Sequence, residues 1–289
     1  MKLVIFGTGY SAQALVEEMR PFASGTVIGT TRSAAKAESL KALGVEPRVF
    51  PGADMRAELE SATHVLITAG PEDGADPVLK HLRPIFEELA DRFQWVGYLS
   101  TTGVYGDHKG AWVDESAPLT PATRRGRARV TTEGEWKALA RDHGLALHIF
   151  RLPGIYGPGR GPFEKVRNGT ARRIIKEGQV FSRIHVEDIA QALLASMAQP
   201  RPGAIYNICD NDPAPPEDVL TYAAELLGVD LPPAVRFEEA EMTPMARSFY
   251  AESKKVDNGL MKRELGVKLR YPTYRAGLDA LFAAELSKG

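Results

Sequence analysis

The run Lys2-Leu3-Val4-Ile5-Phe6 leads directly into Gly7-Thr8-Gly9-Tyr10-Ser11-Ala12, and an amphipathic stretch follows to Met19. This order of apolar strand, glycine turn and helix constrains the chain more than any other feature. Gly7 permits a sharp turn after the strand. Gly9 has no Cβ, so backbone can approach a bound group closely. Ala12 is small enough for the helix to pack against the strand. The helix start then offers free N–H groups and the positive end of its dipole to an anion. A dinucleotide pyrophosphate needs these features in this order. Gly7, Thr8, Gly9, Tyr10, Ser11 and Ala12 are therefore expected to border such a cofactor, the alternative being an ordinary strand–turn–helix.

Strand and helix patterns then alternate. Strands are expected at 26–30, around 48–50, and at 64–68, 95–100 and 147–151, with a last one ending at Cys209. Helices are expected at 34–43, 77–90 and 186–198, with a long one inside 120–143. Near-continuous apolar strands separated by helices imply a parallel sheet covered on both faces. The fold class expected is α/β, a Rossmann-type doubly wound parallel sheet with a smaller, mainly C-terminal lobe. The core should span residues 1–155, completed by about 181–209, with 156–180 and 210–289 forming the lobe. Ligands of such sheets sit at the C-terminal strand ends where strand order reverses. Gly7, Thr30, Thr68, Ser100 and Arg151 should border that crevice.

The 289 residues carry a formal net charge of −1, which gives no electrostatic reason to expect a nucleic-acid or anionic-membrane partner. No apolar run approaches the ~18 residues of a membrane span. The single cysteine, Cys209, excludes an internal disulfide framework and suits a reducing cytoplasm. The histidines are scattered without metal-ligand spacing, so no metal is expected.

Cofactor choice is read at the end of the second strand, Gly29-Thr30-Thr31-Arg32-Ser33. NAD-binding domains commonly place an acid there for the ribose hydroxyls. Here Arg32 stands ready for a 2′-phosphate, with Thr31 and Ser33 as hydroxyl donors, which favours NADP over NAD. A solvated arginine is the alternative. Asp54 suits either the adenine amino group or the cap of the helix that follows. Thr68-Ala69-Gly70-Pro71 ends the fourth strand with small residues that leave room for the cofactor.

Four further segments carry a resemblance. They are Ser100-Thr101-Thr102-Gly103-Val104-Tyr105-Gly106, Arg151-Leu152-Pro153-Gly154-Ile155-Tyr156-Gly157, Ile184-His185-Val186-Glu187-Asp188 and Ala204-Ile205-Tyr206-Asn207-Ile208. With the glycine turn, this ordered set resembles the short-chain dehydrogenase/reductase superfamily, closest to its extended epimerase/dehydratase branch. The resemblance implies that Thr101 is the catalytic Ser/Thr that hydrogen-bonds the reacting oxygen. It also implies that Pro153 and Gly154 lie beside the cofactor, where the strand end Ser100 is expected too, and that His185 and Asp188 shape the lobe junction, with capping and packing as their alternative roles.

The chain departs from that family at the reaction centre. Where the family has Tyr-x-x-x-Lys on the long helix, this chain has Arg125-Gly126-Arg127-Ala128-Arg129. Arg129 can still meet ribose hydroxyls, but a guanidinium does not serve as a general acid–base near neutral pH. The glycine signature also differs from the extended form G-x-x-G-x-x-G. Tyr105, Tyr156 and Tyr98 are substitute phenols, with packing as their alternative role. The expected candidate catalytic set is Thr101, Arg125, Arg129 and Tyr105. The expected activity is epimerase/dehydratase-like or reductase-like, on a small anionic or sugar-nucleotide substrate. Binding NADP as a sensor without turnover is the other reading, and a homodimer is left open. Basic residues from Arg160 to Arg183 suggest either an anion site or a solvated face.

Overall fold

The computed structural model describes residues 1–20 and 25–287. The chain opens with β1 (Lys2–Phe6), α1 (Tyr10–Met19), β2 (Thr26–Thr31), α2 (Ala34–Ala42) and β3 (Glu46–Val49). It continues through α3 (Arg56–Ser61), β4 (His64–Ile67), α4 (Pro77–Leu89), β5 (Trp95–Thr101) and the short β6 (Trp112–Val113). Next come α5 (Arg124–His143), β7 (Leu147–Leu152), β8 (Gly154–Tyr156), α6 (Phe163–Arg167), β9 (Arg173–Ile175) and β10 (Arg183–His185). Then follow α7 (Val186–Ala198), β11 (Ile205–Asn207), α8 (Pro216–Leu227), β12 (Ala234–Arg236) and α9 (Pro244–Phe249). The last elements are β13 (Lys255–Val256), α10 (Gly259–Leu265) and α11 (Tyr274–Leu286).

Seven strands form one sheet in the order β11-β7-β5-β4-β1-β2-β3. Every pairing within it is parallel. This is the Rossmann-type arrangement expected. The alternation of side chains along β1 explains its two covered faces. Leu3 and Ile5 enter one apolar cluster with Leu15 and Val16 of α1 and Ile189 and Leu193 of α7. Val4 and Phe6 enter another with Leu82 and Phe86 of α4 and Trp136 of α5. Both clusters need fully apolar strands, so the continuous runs in the sequence follow from burial on two sides.

The strand order reverses between β4 and β1, which leaves the C-terminal tips of β1, β2 and β4 side by side around a crevice. α5 closes its other flank. Thr123 caps this helix by accepting the Gly126 N–H at 3.0 Å, and Gly144 ends it at φ 75°. Gly126 lets α5 come close to the turn after β5, because a Cβ there would lie 2.7 Å from the Gly103 carbonyl oxygen.

A separate apolar cluster joins α6, α8 and α11 through Phe163, Val166, Ala223, Ala224, Leu278 and Leu281. The small β9–β12 pair flanks it. α10 instead returns to the sheet, where Met261 and Leu265 join the cluster beneath α1 and α7. Among the described residues no helix is long and apolar enough to cross a membrane. None of the described His, Cys, Asp and Glu side chains group as a metal site.

Candidate functional site

At the end of β1 the Gly7 N–H donates to the Thr30 hydroxyl at 2.9 Å, and the Thr8 N–H to the Thr30 carbonyl at 2.8 Å. Gly7 has φ 91°, and a Cβ on it would lie 2.9 Å from Thr68 Oγ1 and 3.0 Å from Ala69 N. Glycine is therefore required both by the backbone angle and by the close approach of the β1 and β4 tips. Gly9 is the N-cap of α1, with no side chain to cap it and no acid in the first turn. The leading N–H groups of α1, at Tyr10, Ser11 and Ala12, thus lack a side-chain cap.

A cleft of about 270 Å³ opens here, lined by Gly7, Thr8, Gly9, Thr30, Thr31, Arg32, Lys36, Phe50, Pro51, Thr68, Ala69, Gly70 and Glu72, among others. A second hollow of about 390 Å³, at the far end of α5, is floored by Leu145, Leu147 and Pro202. It gathers none of the glycine-turn or helix-start donors, so the cleft at the strand tips is the candidate site.

Among the lining residues that sequence reasoning missed, Lys36 and Glu72 are the charged ones, beside Phe50, Pro51 and Pro77. Arg32 is exposed, and its Nη1 lies 2.6 Å from Glu72 Oε1. Lys36 lies one turn into α2, where helical spacing after Arg32 was the available signal. No local signal linked Glu72 to Arg32. Ser33 sits at the start of α2 without a side-chain cap bond, and neither Ser33 nor Pro71 lines the cleft. The Asp54 carboxylate accepts the Arg56 N–H at 3.0 Å, while the N-cap of α3 is Met55. Tyr10 links the helix start to the loop after β8 by donating to the Pro158 carbonyl at 3.0 Å.

α5 presents Arg125 and Arg129 one turn apart. Arg129 Nη1 donates to the Tyr98 hydroxyl and to the Leu99 carbonyl, each at 2.8 Å. Its Nη2 lies against the cleft wall, where a Cβ on Gly70 would be 2.8 Å away. Arg125 is exposed and makes no hydrogen bond or ion pair with the described residues. Thr101, at the tip of β5, caps the following turn by accepting the Gly103 N–H at 3.1 Å. Pro153 and Gly154 continue from β7 into β8, where Gly154 pairs with Arg183.

Tyr105 is no accessible phenol. Its hydroxyl donates to Asn207 Oδ1 at 2.7 Å and accepts from Arg151 Nη1 at 3.0 Å. Burial pushes its pKa up to about 12, against the pull of Arg151. The ring is carried inward, where it packs with Val104, Val113, Cys209 and Val256. Burial also raises the pKa values of Tyr98 and Tyr156. Ser100 and Arg151 likewise leave the crevice for a buried network. The Ser100 hydroxyl donates to Glu133 Oε1 at 2.6 Å, and Arg151 Nη2 lies 2.7 Å from Glu133 Oε2. Burial opposes ionisation of Glu133, but Arg151 and Ser100 outweigh it and hold the carboxyl below its usual range.

The lobe junction is structural in character. Asp188 accepts the Arg270 and Tyr271 N–H groups at 2.7 and 3.1 Å, and His185 caps α7 through the Glu187 N–H at 3.3 Å. The basic stretch forms no single patch. Arg173 donates to the Pro232 carbonyl at 2.8 Å, Arg183 to the Phe181 carbonyl at 2.8 Å, and Arg167 pairs with Glu285.

A sequence model of the NAD dependent epimerase/dehydratase family matches residues 83–209, which include Thr101, Arg125, Arg129 and Arg151. Protein YeeZ of Escherichia coli (strain K12) is 31% identical over 239 residues, covering 80% of this chain and 79% of YeeZ. The chain belongs to the NAD-dependent epimerase/dehydratase family. Within that setting, a functionally unknown conserved protein from Silicibacter pomeroyi DSS is 56% identical, with a TM-score of 0.93 over 98% of this chain and 99% of its own. UDP-glucuronic acid 4-epimerase from Bacillus cereus, solved with NAD, has a TM-score of 0.78 at 16% identity, over 100% of this chain and 99% of its own. At that identity the epimerase shares the fold.

Proposed function

We propose that this family member binds NADP in preference to NAD and acts on a small anionic or sugar-nucleotide substrate in an epimerase-, dehydratase- or reductase-like reaction. The observation that carries the reading is the uncapped start of α1 behind Gly7 and Gly9, opening on a cleft that Arg129 reaches at Gly70. The substrate class draws support from the sugar-nucleotide epimerase that shares the fold. A single, buried Cys209 suits a cytoplasmic setting.

The residues present fit a dinucleotide. The α1 N–H groups would hold the pyrophosphate, Arg32 and Lys36 would meet the adenosine end, and Arg129 would meet the second ribose. When bound, the nicotinamide supplies hydride exchange. Thr101 hydrogen-bonds the reacting oxygen. Arg125, with a guanidinium that keeps its proton, binds an anionic substrate group or stabilises developing negative charge. Calorimetric titration with NADP⁺ and NAD⁺, followed by spectrophotometry across sugar nucleotides and carbonyl compounds, tests the reading. Equal affinity for the two cofactors would remove the preference, and binding of neither would remove the dinucleotide reading itself.

The burial of Tyr98, Tyr105 and Tyr156 favours a second reading, cofactor binding without turnover. Tight NADP⁺ binding with no consumption or exchange of hydride across that panel would select it.

A further inference from the structure

We infer that Glu72 is a specificity-determining residue of the cleft, and that its ion pair with Arg32 limits how far NADP is preferred over NAD. This rests on the dinucleotide reading above and adds a residue outside the glycine turn.

The placement follows from topology. β1 lies between β4 and β2, so residues just beyond β2 and β4 face one another across the glycine turn. Arg32 directly follows β2, and Glu72 lies in the loop that follows β4. The backbone beneath Glu72 is firmly held. Its N–H donates to the Ala75 carbonyl at 2.9 Å, and the Ala75 N–H returns to the Glu72 carbonyl at 3.0 Å. The next residue, Asp76, accepts the Val78 and Leu79 N–H groups at 2.8 and 3.0 Å and the Trp136 indole N–H at 3.2 Å. Glu72 is thus delivered from an anchored turn, and its carboxylate meets Arg32 Nη1 at 2.6 Å while both side chains line the cleft.

The pair itself is weak, because its side chains are 77% and 56% exposed. Its consequence is for the ligand. A 2′-phosphate brought to Arg32 must displace the carboxylate or bear its like charge on the same guanidinium. A free ribose hydroxyl meets the opposite situation, since a carboxylate accepts its hydrogen bond. Only Oε1 is engaged by Arg32, so Oε2 remains an available acceptor. Glu72 therefore supplies, from β4, the acid that NAD-binding domains carry at the end of β2. Lys36 keeps a positive charge at this end of the cleft while Arg32 is paired, so the carboxylate reduces phosphate binding without abolishing it.

Titration calorimetry of the full chain with NADP⁺ and NAD⁺ tests this in four proteins: unmodified, Glu72→Gln, Arg32→Ala and the double variant. Glu72→Gln is expected to tighten NADP⁺ about fivefold and weaken NAD⁺ by a few-fold, shifting their ratio roughly tenfold. In the Arg32→Ala background the same change should no longer improve NADP⁺. A ratio that moves less than about twofold in Glu72→Gln, with both cofactors still binding, overturns the inference. So does a full gain that survives Arg32→Ala, because the effect would then not pass through the pair. Binding of neither cofactor to the unmodified chain removes the dinucleotide reading, and the inference with it.

Discussion

Arg129 fastens α5 to the last turn of β5, donating from one nitrogen to both the Tyr98 hydroxyl and the Leu99 carbonyl at 2.8 Å. Its other terminal nitrogen faces Gly70 in the cleft wall. The same guanidinium therefore serves stability and the cofactor site. Arg129→Ala should cost about 1–3 kcal/mol of stability, because it leaves the buried Tyr98 hydroxyl without its donor. It should also weaken NADP⁺. Urea denaturation and calorimetry on one preparation check both, and an unchanged unfolding midpoint would show that the Tyr98 contact carries no stability.

The pair between Glu133 and Arg151 is buried, with side chains 1% and 2% exposed. Glu133→Gln should cost about 3–5 kcal/mol, since it leaves the Arg151 charge buried without its counter-ion. Acid should have a related effect. The folded carboxyl is held below its usual range, so the unfolded chain takes up this proton first. The contribution is complete above about pH 4.3, the ordinary glutamate value, and is lost as pH falls through the folded value. Denaturant midpoints between neutral and acidic pH should fall more steeply in the unmodified protein than in Glu133→Gln.

His148 acts in a different window. It is fully buried, its Nε2 accepts the Arg201 N–H at 2.8 Å, and desolvation lowers its pKa from 6.5 to about 4. Between those values the unfolded histidine is protonated and the folded one is neutral, so stability falls as pH drops from about 6.5 toward 4. Asp210 opposes this trend, since burial raises its pKa to about 7 and favours the folded, protonated form as pH falls. Comparing variants separates the two. His148→Gln, which cannot charge, should flatten the loss between neutral pH and pH 5 relative to the unmodified chain. Parallel stability curves for the two proteins would assign the acid sensitivity elsewhere.

Arg125 should behave oppositely to Arg129. It is exposed and bonds to none of the described residues, so Arg125→Ala should change stability by less than about 0.5 kcal/mol. An anion-binding role requires that the same variant lose substrate affinity or turnover. Arg125→Lys should keep part of the activity. Arg125→Tyr should keep none, because the phenol returns without the lysine that activates it. Reduction of simple ketones by the unmodified protein at ordinary enzyme rates, about 1–10³ s⁻¹, would contradict the arginine-based centre.

The legible features are those whose causes are local. Leu3–Phe6 and Val65–Ile67 are continuous apolar runs because both faces of the sheet are covered, and that shows in sequence without knowledge of the partners. Gly7 announces the turn because only glycine tolerates its angle and its close contacts. The choice between phenol and packing roles for Tyr105 is not legible, because a residue beside a strand tip gives no sign of its direction. Whether it faces the crevice or Asn207 depends on β11, a strand from far along the chain.

The sequence by itself thus determined the alternation, the glycine turn and the positions of the arginines on α5, each governed by neighbouring residues. Tertiary structure alone decided the partners of the polar groups. It set Glu72 against Arg32, Glu133 against Arg151 and Tyr98 against Arg129. Charges and hydroxyls interact over a few ångströms of space. Chain separation does not encode that distance, and only the parallel order of the strands brings these pairs together.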